Sequence, residues 1–382
     1  MSKWIKKKVE RLCAGIWWLL GRVIPKQSRL VVLNTFPDFD DTARAMVPAT
    51  RALGYRLVIL TLHKQAPQPE WVIAAGVTTY YRYSLQGVWW YHRARFVFYT
   101  HGLFSAWPLS PRQCVVNVWH GMPIKRIGLL DGKSPDQIPR FHYTIASDSL
   151  FQGIVRDAFG VTLDQVLLAD HPRINILKGR GRKPAGLPEH RQLAVWLPTY
   201  RAAKVGDVRM DGSSRGDIFA GATQLQAMDE FFASRGVVCI VKPHPMTKAT
   251  AELFKSCKAL VFFDEQTLLK NDMTLYQLLS VSDFMITDVS SVYVDYAVLQ
   301  RPTVVFCQDL EEYRRSRGFT APIESLVKEQ IAVTEEQLCQ RIDDALLGRA
   351  PHATANEVTD TSLQCTRDLF AQLEARWSKR AS

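Results

Sequence analysis

The feature that most constrains this chain is a regular alternation of short apolar segments with segments of helical character. From residue 30 onward, apolar runs such as RLVVLNTF and YRLVILTL are separated by segments such as DDTARAMVPATRALG, which starts with Asp and ends with Gly. These are the signals of a strand, a capped helix and a further strand. Strands that alternate with helices in this way predict an α/β fold built on parallel sheets.

The alternation is interrupted once, near the middle of the chain. The segment KGRGRKPAGLPEHRQ, which begins at Lys178, is basic and rich in Gly and Pro, so it predicts a linker. A length of 382 residues is also more than one ordinary core accommodates. We therefore predict two doubly wound, Rossmann-like domains, residues 30–180 and 190–350, that face each other across a cleft.

Two helical segments flank these domains. Residues 1–29 form an amphipathic pattern, with most of the Lys and Arg residues away from the apolar face. The uncharged stretch from Leu12 to Gly21 is too short to cross a bilayer, which takes about 20 apolar residues. We predict a helix that lies on an anionic membrane, and the alternative is a helix docked on its own domain or on a partner. Residues 357–382 end in a second amphipathic helix, which we expect to pack back on the first domain.

The formal net charge of +11 predicts an anionic partner, which could be nucleic acid, acidic lipid or a phosphorylated substrate. Residues 80–99 interleave aromatic and arginine side chains, a mixture suited to base stacking, to a membrane interface or to a core edged by arginines. No recognised nucleic-acid motif accompanies this segment, so we expect no nucleic acid partner. Seven cysteines without a CxxC pair predict buried thiols in a reducing compartment.

Ionisable residues follow the predicted strands of the first domain, and ligands of parallel sheets bind at the carboxyl ends of strands. His101 follows the run RFVFYT, and His120 with Gly121 follows CVVNVW. A histidine of ordinary pKa near 6.5 suits a general base, and a glycine lets a substrate approach the backbone. Lys125 and Arg126 add positive charge beside it. The alternative is a solvated turn with ordinary surface charge.

The second domain carries a matching set of polar residues. Lys242 and His244 lie in VKPHP, where two prolines fix the direction of the imidazole, so that it could donate to a pyrophosphate or protonate a leaving group. The alternative is a rigid turn. Asp288, Ser290 and Ser291 lie in TDVSS, before a predicted helix whose N-terminus favours phosphate. The alternative there is plain helix capping.

The acidic segment FPDFDD, with Asp38, Asp40 and Asp41, resembles a metal-binding DxD sequence. A helix is predicted to begin immediately after it, so we favour helix capping. The sequence shows no Cys/His spacing for zinc, no P-loop and no GxGxxG. We expect no metal site and no covalently bound cofactor, and a requirement for Mg²⁺ in activity stays open.

Four segments together resemble the CDP-glycerol glycerophosphotransferase family, which includes the teichoic-acid primases and polymerases. They are NVWHGMPIKRIG, LPTYR, VKPHP and the block from NDMTLYQLL to DLEEYRRSRGF. The resemblance runs from about Asn34 to Phe319. It implies a GT-B type fold in which residues 30–180 bind the acceptor and residues 190–350 bind the nucleotide donor. It further implies transfer of glycerol phosphate from CDP-glycerol to a hydroxyl of a lipid-linked acceptor, with release of CMP, at the cytoplasmic face of a bacterial membrane.

The resemblance also implies roles for individual residues. His120 would be the base or an essential group on the acceptor side, and His244 would contact the pyrophosphate. The remaining acceptor-side residues would be Gly121, Lys125 and Arg126. The donor-binding residues would be Lys242, Asp288, Ser290, Ser291, Arg201, Arg315 and Arg317.

One turn departs from the family pattern. Family members often carry Gly-x-Pro-Arg-x-Asp where this chain has ADHPRINIL, in which Pro172 and Arg173 remain and Asp170, His171 and Asn175 differ. Three other functions stay open at this point. They are a transferase that uses CDP-ribitol, a GT-B sugar transferase that uses a nucleotide sugar, and a non-catalytic membrane assembly protein of the same fold.

Overall fold

The computed structural model describes residues 15–16, 18–104, 107–179, 181–198, 222–243, 251–316, 318–327, 331–348 and 363–381. The chain forms two compact units. The first unit comprises Met1–Pro123, Ile127–Asn175 and Thr361–Ser382, and the second comprises Ile124–Arg126 and Ile176–Asp360. The second unit thus includes three residues, 124–126, that the sequence assigned to the first domain.

The first unit is built on a seven-stranded sheet in which neighbouring strands pair in parallel, in the order β3-β2-β1-β4-β5-β6-β7. The strands are β1 Gln27–Asn34, β2 Arg56–Thr61, β3 Thr78–Tyr81, β4 Ala94–Tyr99, β5 Cys114–Asn117, β6 Tyr143–Ala146 and β7 Val166–Leu168. Most of these strands are continuously buried, as expected for a parallel sheet covered on both faces.

The second unit contains five parallel strands in the order β10-β9-β8-β11-β12. They are β8 Gln192–Leu197, β9 Val237–Val241, β10 Leu260–Phe262, β11 Phe284–Thr287 and β12 Thr303–Val305. The predicted α/β class with two parallel sheets is therefore confirmed.

Helices connect and cover the strands of both sheets. The α-helices are α1 Asp41–Ala52, α2 Glu70–Ala74, α3 Leu85–Arg93, α4 Ser149–Phe159, α5 Ile174–Leu177, α6 Ala222–Ser234, α7 Glu265–Lys270, α8 Leu275–Ser280, α9 Val292–Tyr296, α10 Leu310–Ser316, α11 Ile323–Leu326, α12 Glu335–Leu346 and α13 Gln364–Ala381. Short 3₁₀ turns span Gly128–Asp131, Pro135–Gln137, Leu163–Gln165, Ala251–Phe254 and Ala297–Leu299.

Helix α1 shows how local sequence sets an element boundary. The Asp40 carboxylate accepts a hydrogen bond from the Ala43 amide at 3.0 Å, which satisfies one of the unpaired N–H groups of the first turn. Gly54 stands just beyond the other end with φ of 75°, a conformation that glycine adopts without steric cost.

The C-terminal helix α13 belongs to the first unit and contacts α1. Its apolar face joins the core that covers the sheet through Leu369, Phe370, Leu373 and Trp377. Asn175 secures its first turn by accepting from the Cys365 amide at 3.1 Å. The chain thus closes the core of its first unit with its last helix.

The amino-terminal segment is described only in part. Residues 18–23 are helical and attach to the loop before β5, where Ser110 Oγ donates to the Gly21 carbonyl at 2.8 Å and Arg112 donates to the Arg22 carbonyl at 3.0 Å. Most of the amphipathic helix predicted over residues 1–29 lies outside the described residues. Within the parts of the chain that the structure describes, no helix is long and apolar enough to cross a membrane.

Candidate active site

The first candidate site lies at the carboxyl ends of β4 and β5, which are neighbours in the sheet. His101 stands two residues beyond β4, and His120 stands three residues beyond β5. Their rings stack, with centroids 4.2 Å apart and planes inclined by 14°. The Trp119 ring lies 4.1 Å from the His120 ring. The topology thus brings together two histidines that are 19 positions apart in the sequence.

The turn that carries His120 has an unusual backbone. Trp119 has φ of 56°, in the left-handed region that costs a bulky residue free energy, and Gly121 follows with φ of 131°. The Asn117 side chain accepts from the Trp119 amide at 3.0 Å and so fixes the start of the turn. Gly121 is accordingly required for the path of the chain, while its predicted contact with an acceptor stays a prediction.

Two residues from the loop after β7 hold the same turn in place. His171 contacts the Trp119 carbonyl through Nε2 at 3.2 Å, and Arg173 donates through Nη2 to the His120 carbonyl at 3.0 Å. The Arg173 amide donates weakly to His171 Nδ1 at 3.4 Å, so His171 carries its proton on Nε2 and donates it to Trp119. Both side chains are buried, with exposed fractions of 2% and 9%. We call these two contacts the carbonyl clamp.

In the sequence, His171 and Arg173 stand out only as part of a turn that departs from the family pattern. The available signal was that two ionisable residues flank a proline shortly after a strand, in the position where ligands and catalytic groups collect. Their role became visible only when β5 and β7 were placed in one sheet.

The histidines of this site are held neutral at pH 7. Burial, with help from His101 and Arg173, keeps the pKa of His120 well below its usual range, and the Thr100 backbone opposes that shift. Burial and Arg173 lower the pKa of His101 to about 4, and they hold the pKa of His171 far below 6.5. His120 Nδ1 is a buried atom without a hydrogen-bond partner of normal geometry among the described residues. A neutral imidazole can accept a proton, as a general base must, but this lowered pKa departs from the ordinary value near 6.5 expected from the sequence and makes His120 a weaker base.

The acidic segment before α1 serves the fold. Asp38 accepts from the amides of Leu62 and His63 at 2.6 and 3.0 Å, which joins it to the end of β2. Asp40 caps α1, and burial raises its pKa to about 7 although the Ala43 amide and Arg173 act in the opposite direction. Helix capping, favoured from the sequence, is thus confirmed for Asp40. Across the described ranges, no group of three His, Cys, Asp or Glu side chains could hold a metal ion.

In the second unit, Lys242 directly follows β9 and is almost fully buried. Its amide donates to the Trp196 carbonyl at 2.9 Å, and its Nζ donates to Glu265 Oε1 at 2.7 Å. Glu265 is largely exposed, so an incoming phosphate could compete for the ammonium group. Lys242 therefore lies at the carboxyl end of a central strand, where the sequence predicted it.

The segment Asp288–Ser291 follows β11 and leads into α9. Asp288 is buried and its carbonyl accepts from the Ser290 amide at 2.8 Å, while both serines are half-buried. Ser291 is the N-cap residue of α9, but its side chain makes no capping hydrogen bond. Plain capping by the Ser291 hydroxyl, the alternative left open by the sequence, is therefore not what the structure shows.

Lys125 and Arg126 belong to the second unit, although the sequence assigned them to the first domain. Their described contacts within that unit are with residues 313–319, and their predicted role on the acceptor side stays a prediction. Lys125 forms a bridge with Phe319 and its Nζ lies 5.0 Å from the Tyr313 ring centroid. Arg126 donates from its amide to the Gly318 carbonyl at 3.2 Å, because extended backbone next to extended backbone satisfies its hydrogen bonds by strand-like pairing.

The remaining predicted donor-site residues are described only in part. Arg315 lies exposed on α10, and its Nε donates to the Glu311 carbonyl of the same helix at 3.3 Å. Arg201, His244 and Arg317 lie outside the described residues, and their roles stay predictions.

Known proteins resemble this chain, one of them over almost its whole length. A teichoic acid poly(glycerol phosphate) polymerase of Bacillus spizizenii is 24% identical over 407 residues, which cover 98% of this chain and 96% of the relative. A teichoic acid ribitol-phosphate primase of the same species is 40% identical over 155 residues, 41% of this chain and 36% of the primase. A teichoic acid glycerol-phosphate transferase of Staphylococcus aureus is 25% identical over 244 residues, 55% of this chain and 56% of the transferase.

Solved structures agree in fold. The wall teichoic acid polymerase TagF superposes with a TM-score of 0.70 at 16% identity, covering 99% of this chain and 98% of that chain. A variant of TagF with CDPG superposes with a TM-score of 0.68 at 15% identity, covering 99% and 98%. The family model for CDP-glycerol:poly(glycerophosphate) glycerophosphotransferase matches residues 18–364. The chain therefore belongs to this family of glycerophosphotransferase enzymes.

Proposed function

We propose that this enzyme transfers glycerol phosphate from CDP-glycerol to a hydroxyl of a membrane-lipid-linked glycan or polymer, with release of CMP, in the synthesis of a bacterial surface polymer such as teichoic acid or a capsule-like polymer. Membership of the family supports the reaction class. The observation that carries the assignment of the site is the clamped, neutral His120 at the carboxyl end of a parallel sheet.

In the proposed reaction the first unit presents the acceptor hydroxyl to His120. The hydroxyl oxygen forms a bond to the β-phosphorus, which carries the glycerol, and the bond from that phosphorus to the oxygen of CMP breaks. His120 takes the hydroxyl proton, and CMP leaves with the electron pair of the broken bond. Because phosphoryl transfer has little covalent chemistry for the protein to perform, positioning and electrostatics supply most of the acceleration.

The second unit would hold the donor. Lys242 supplies a positive charge at the end of β9, and the half-buried Ser291 hydroxyl can donate its proton to a phosphate oxygen. His244 would contact the pyrophosphate, and Arg201, Arg315 and Arg317 would offset phosphate charge, as the family resemblance implies. The proposal retains the expectation that donor and acceptor meet in a cleft between two GT-B type domains. The TagF structure with CDPG supports the donor class.

A lipid-linked acceptor requires the enzyme to work at a membrane surface. The helical residues 18–23 expose Trp18 and Val23, and α3 exposes Leu85 and Trp89, at 89% and 46%. Guanidinium groups lie over the indole rings, with Arg22 4.1 Å from Trp18. Aromatic side chains beside cations suit the interface of an anionic bilayer. We therefore propose a peripheral enzyme at the cytoplasmic face of the membrane, and the alternative for the same surface is a protein partner.

The test is to identify the nucleotide that is released. Purified full-length protein receives bacterial membrane lipid extract as acceptor and, in separate reactions, CDP-glycerol, CDP-ribitol or a panel of nucleotide sugars. CMP from CDP-glycerol is the expected result. Release of a nucleoside diphosphate from a nucleotide sugar would show a sugar transferase and overturn the proposal. Parallel reactions with Mg²⁺ and with a chelator show whether that ion is required.

The second candidate donor is CDP-ribitol, because the ribitol-phosphate primase of Bacillus spizizenii has the highest of the three identities given above. CMP released from CDP-ribitol alone would select this candidate.

A matched pair of variants tests the site. His120→Asn removes the base and should lower turnover by about two to four orders of magnitude, as loss of a general base does. His190→Asn replaces a half-buried histidine of the second unit and should leave turnover unchanged. Full activity of His120→Asn would contradict the assignment of the base.

A further inference from the structure

The ring of His101 occupies a distinctive position beside His120. It stacks on the His120 ring at 4.2 Å and meets the edge of Phe36 at 5.0 Å. The residue as a whole still has solvent-exposed surface, unlike the buried strand that precedes it, although its ring is packed closely enough for desolvation to lower its pKa. A side chain that is packed on two sides and open on another is held in one orientation while it can still reach a ligand.

The hydrogen bonds behind His101 indicate which of its nitrogens carries the proton. The Phe36 amide donates to Thr100 Oγ1 at 3.0 Å, and Thr100 Oγ1 lies 3.1 Å from His101 Nδ1. Thr100 is fully buried, so its hydroxyl proton needs an acceptor, and within the described part of the chain that acceptor is His101 Nδ1. The neutral ring therefore carries its proton on Nε2.

The Nε2–H group then remains as a donor. No described side chain or backbone group accepts a hydrogen bond from it. Burial of the ring lowers the pKa of His101 and keeps the ring neutral, and the neighbouring cation Arg173 adds to this effect. A neutral N–H donor pairs with a hydroxyl or phosphate oxygen without adding charge to the site.

From this geometry we propose that His101 is a second substrate-contacting residue, which donates from Nε2 to an oxygen of the acceptor next to the hydroxyl that His120 deprotonates. This inference rests on the proposed function, because it assigns the acceptor to the first unit. His101 would thereby fix the acceptor in position. The hydrogen bond from its Nε2 would contribute to this separately from the packing of its ring on His120.

Two variants separate the contribution of the Nε2 hydrogen bond from that of ring packing. His101→Phe keeps a flat ring against His120 and removes the donor, whereas His101→Gln removes the ring and places an N–H donor near the position of Nε2. Loss of one neutral hydrogen bond predicts a decrease of about tenfold in kcat/KM for the acceptor in His101→Phe. His101→Gln should stay within about threefold of the unaltered protein. The KM for CDP-glycerol should change in neither variant.

The measurement is initial-rate kinetics with bacterial membrane lipid extract varied at saturating CDP-glycerol, and then the reverse. Thermal unfolding of each variant shows that it is folded, and His190→Phe serves as the control for replacing a half-buried histidine with an apolar ring. If His101 acts only through packing, the order reverses, with His101→Phe active and His101→Gln impaired. That order, or a change confined to the KM for CDP-glycerol, would overturn the inference while His120→Asn stays inactive. Absence of any transfer by the unaltered protein would instead overturn the proposed function, and this inference with it.

Discussion

Replacing Arg173 with methionine removes the guanidinium that donates to the His120 carbonyl at 3.0 Å, and with it half of the carbonyl clamp. Methionine retains most of the buried aliphatic volume, so the change is chiefly a loss of hydrogen bonding and charge. A hydrogen bond from a charged donor contributes about 1.5–3 kcal/mol, so we expect the free energy of unfolding to fall by about 2 kcal/mol. For a unit of roughly 200 residues this corresponds to a decrease in Tm of about 4–8 °C.

The same substitution should impair turnover more than stability alone explains. Arg173 reaches His120 through the backbone, so it is a positioning residue, and a displacement of about 1 Å at a catalytic group costs about a hundredfold in rate. Arg173 also lowers the pKa of His120 and of His101, in each case in addition to the larger effect of burial. The acidic limb of the pH profile of kcat should therefore move to higher pH in Arg173→Met.

Calorimetry and a pH profile of CMP release measure the two effects, with Arg156→Met as the matched control. Arg156 is partly exposed on α4 and pairs with its neighbour Asp157, a surface contact that contributes little to stability. A variant Arg173→Met with unchanged Tm, unchanged kcat and an unmoved acidic limb would refute the role of the clamp.

Two further predictions concern backbone geometry and pH. Gly318→Ala and Gly348→Ala both place a side chain at positive φ, of 70° and 67°, and each should lose about 1 kcal/mol in denaturant unfolding. Only the alanine at position 318 meets a neighbour, because its Cβ would lie 2.9 Å from Arg126 Nε. Gly318→Ala alone should therefore also change turnover. Equal turnover in the two variants would contradict a role for Arg126. Acidification from pH 7 toward pH 4 should lower the free energy of unfolding of the first unit, because four histidines with lowered pKa values bind fewer protons in the folded state than in the unfolded state, whose histidine pKa is near 6.5. These are His92, His101, His120 and His171. Asp40 opposes this trend, because its pKa is raised to about 7 in the folded state. Asp40→Asn should therefore steepen the loss of stability between pH 7 and pH 4. If urea unfolding instead showed a shallower dependence of stability on pH in this variant, the predicted direction for Asp40 would be wrong.

Much of the fold could be predicted because its signals are local. Helix α1 begins after Asp40 and ends before Gly54, because a capping carboxylate and a left-handed glycine act within a few residues of the helix they bound. Most strands were recognisable as continuous apolar runs. Strands β3 and β7 were not predicted, and TTYY of β3 lies beside a mixed aromatic segment.

The candidate site was predictable to a smaller extent. Polar residues at strand ends pointed to His120 and Lys242, because ligands of parallel sheets gather at that edge. The strand-like pairing of residues 124–126 with Phe319 had no signal in the sequence, because the two segments are almost 200 residues apart. The same holds for the clamp on the His120 carbonyl, since a backbone carbonyl gives no indication in the sequence of which side chain will bind it.

The sequence by itself thus determined the alternation of strands and helices, the caps of α1 and the chemical types of the residues at the strand ends. Each of these follows from propensities and hydrogen bonds that act over a few residues. The tertiary structure alone decided that His101 stacks on His120. It also placed His171 and Arg173 where they hold the turn that carries His120. It also decided their protonation, because burial and neighbouring charges, which set a pKa, exist only once distant segments have packed together.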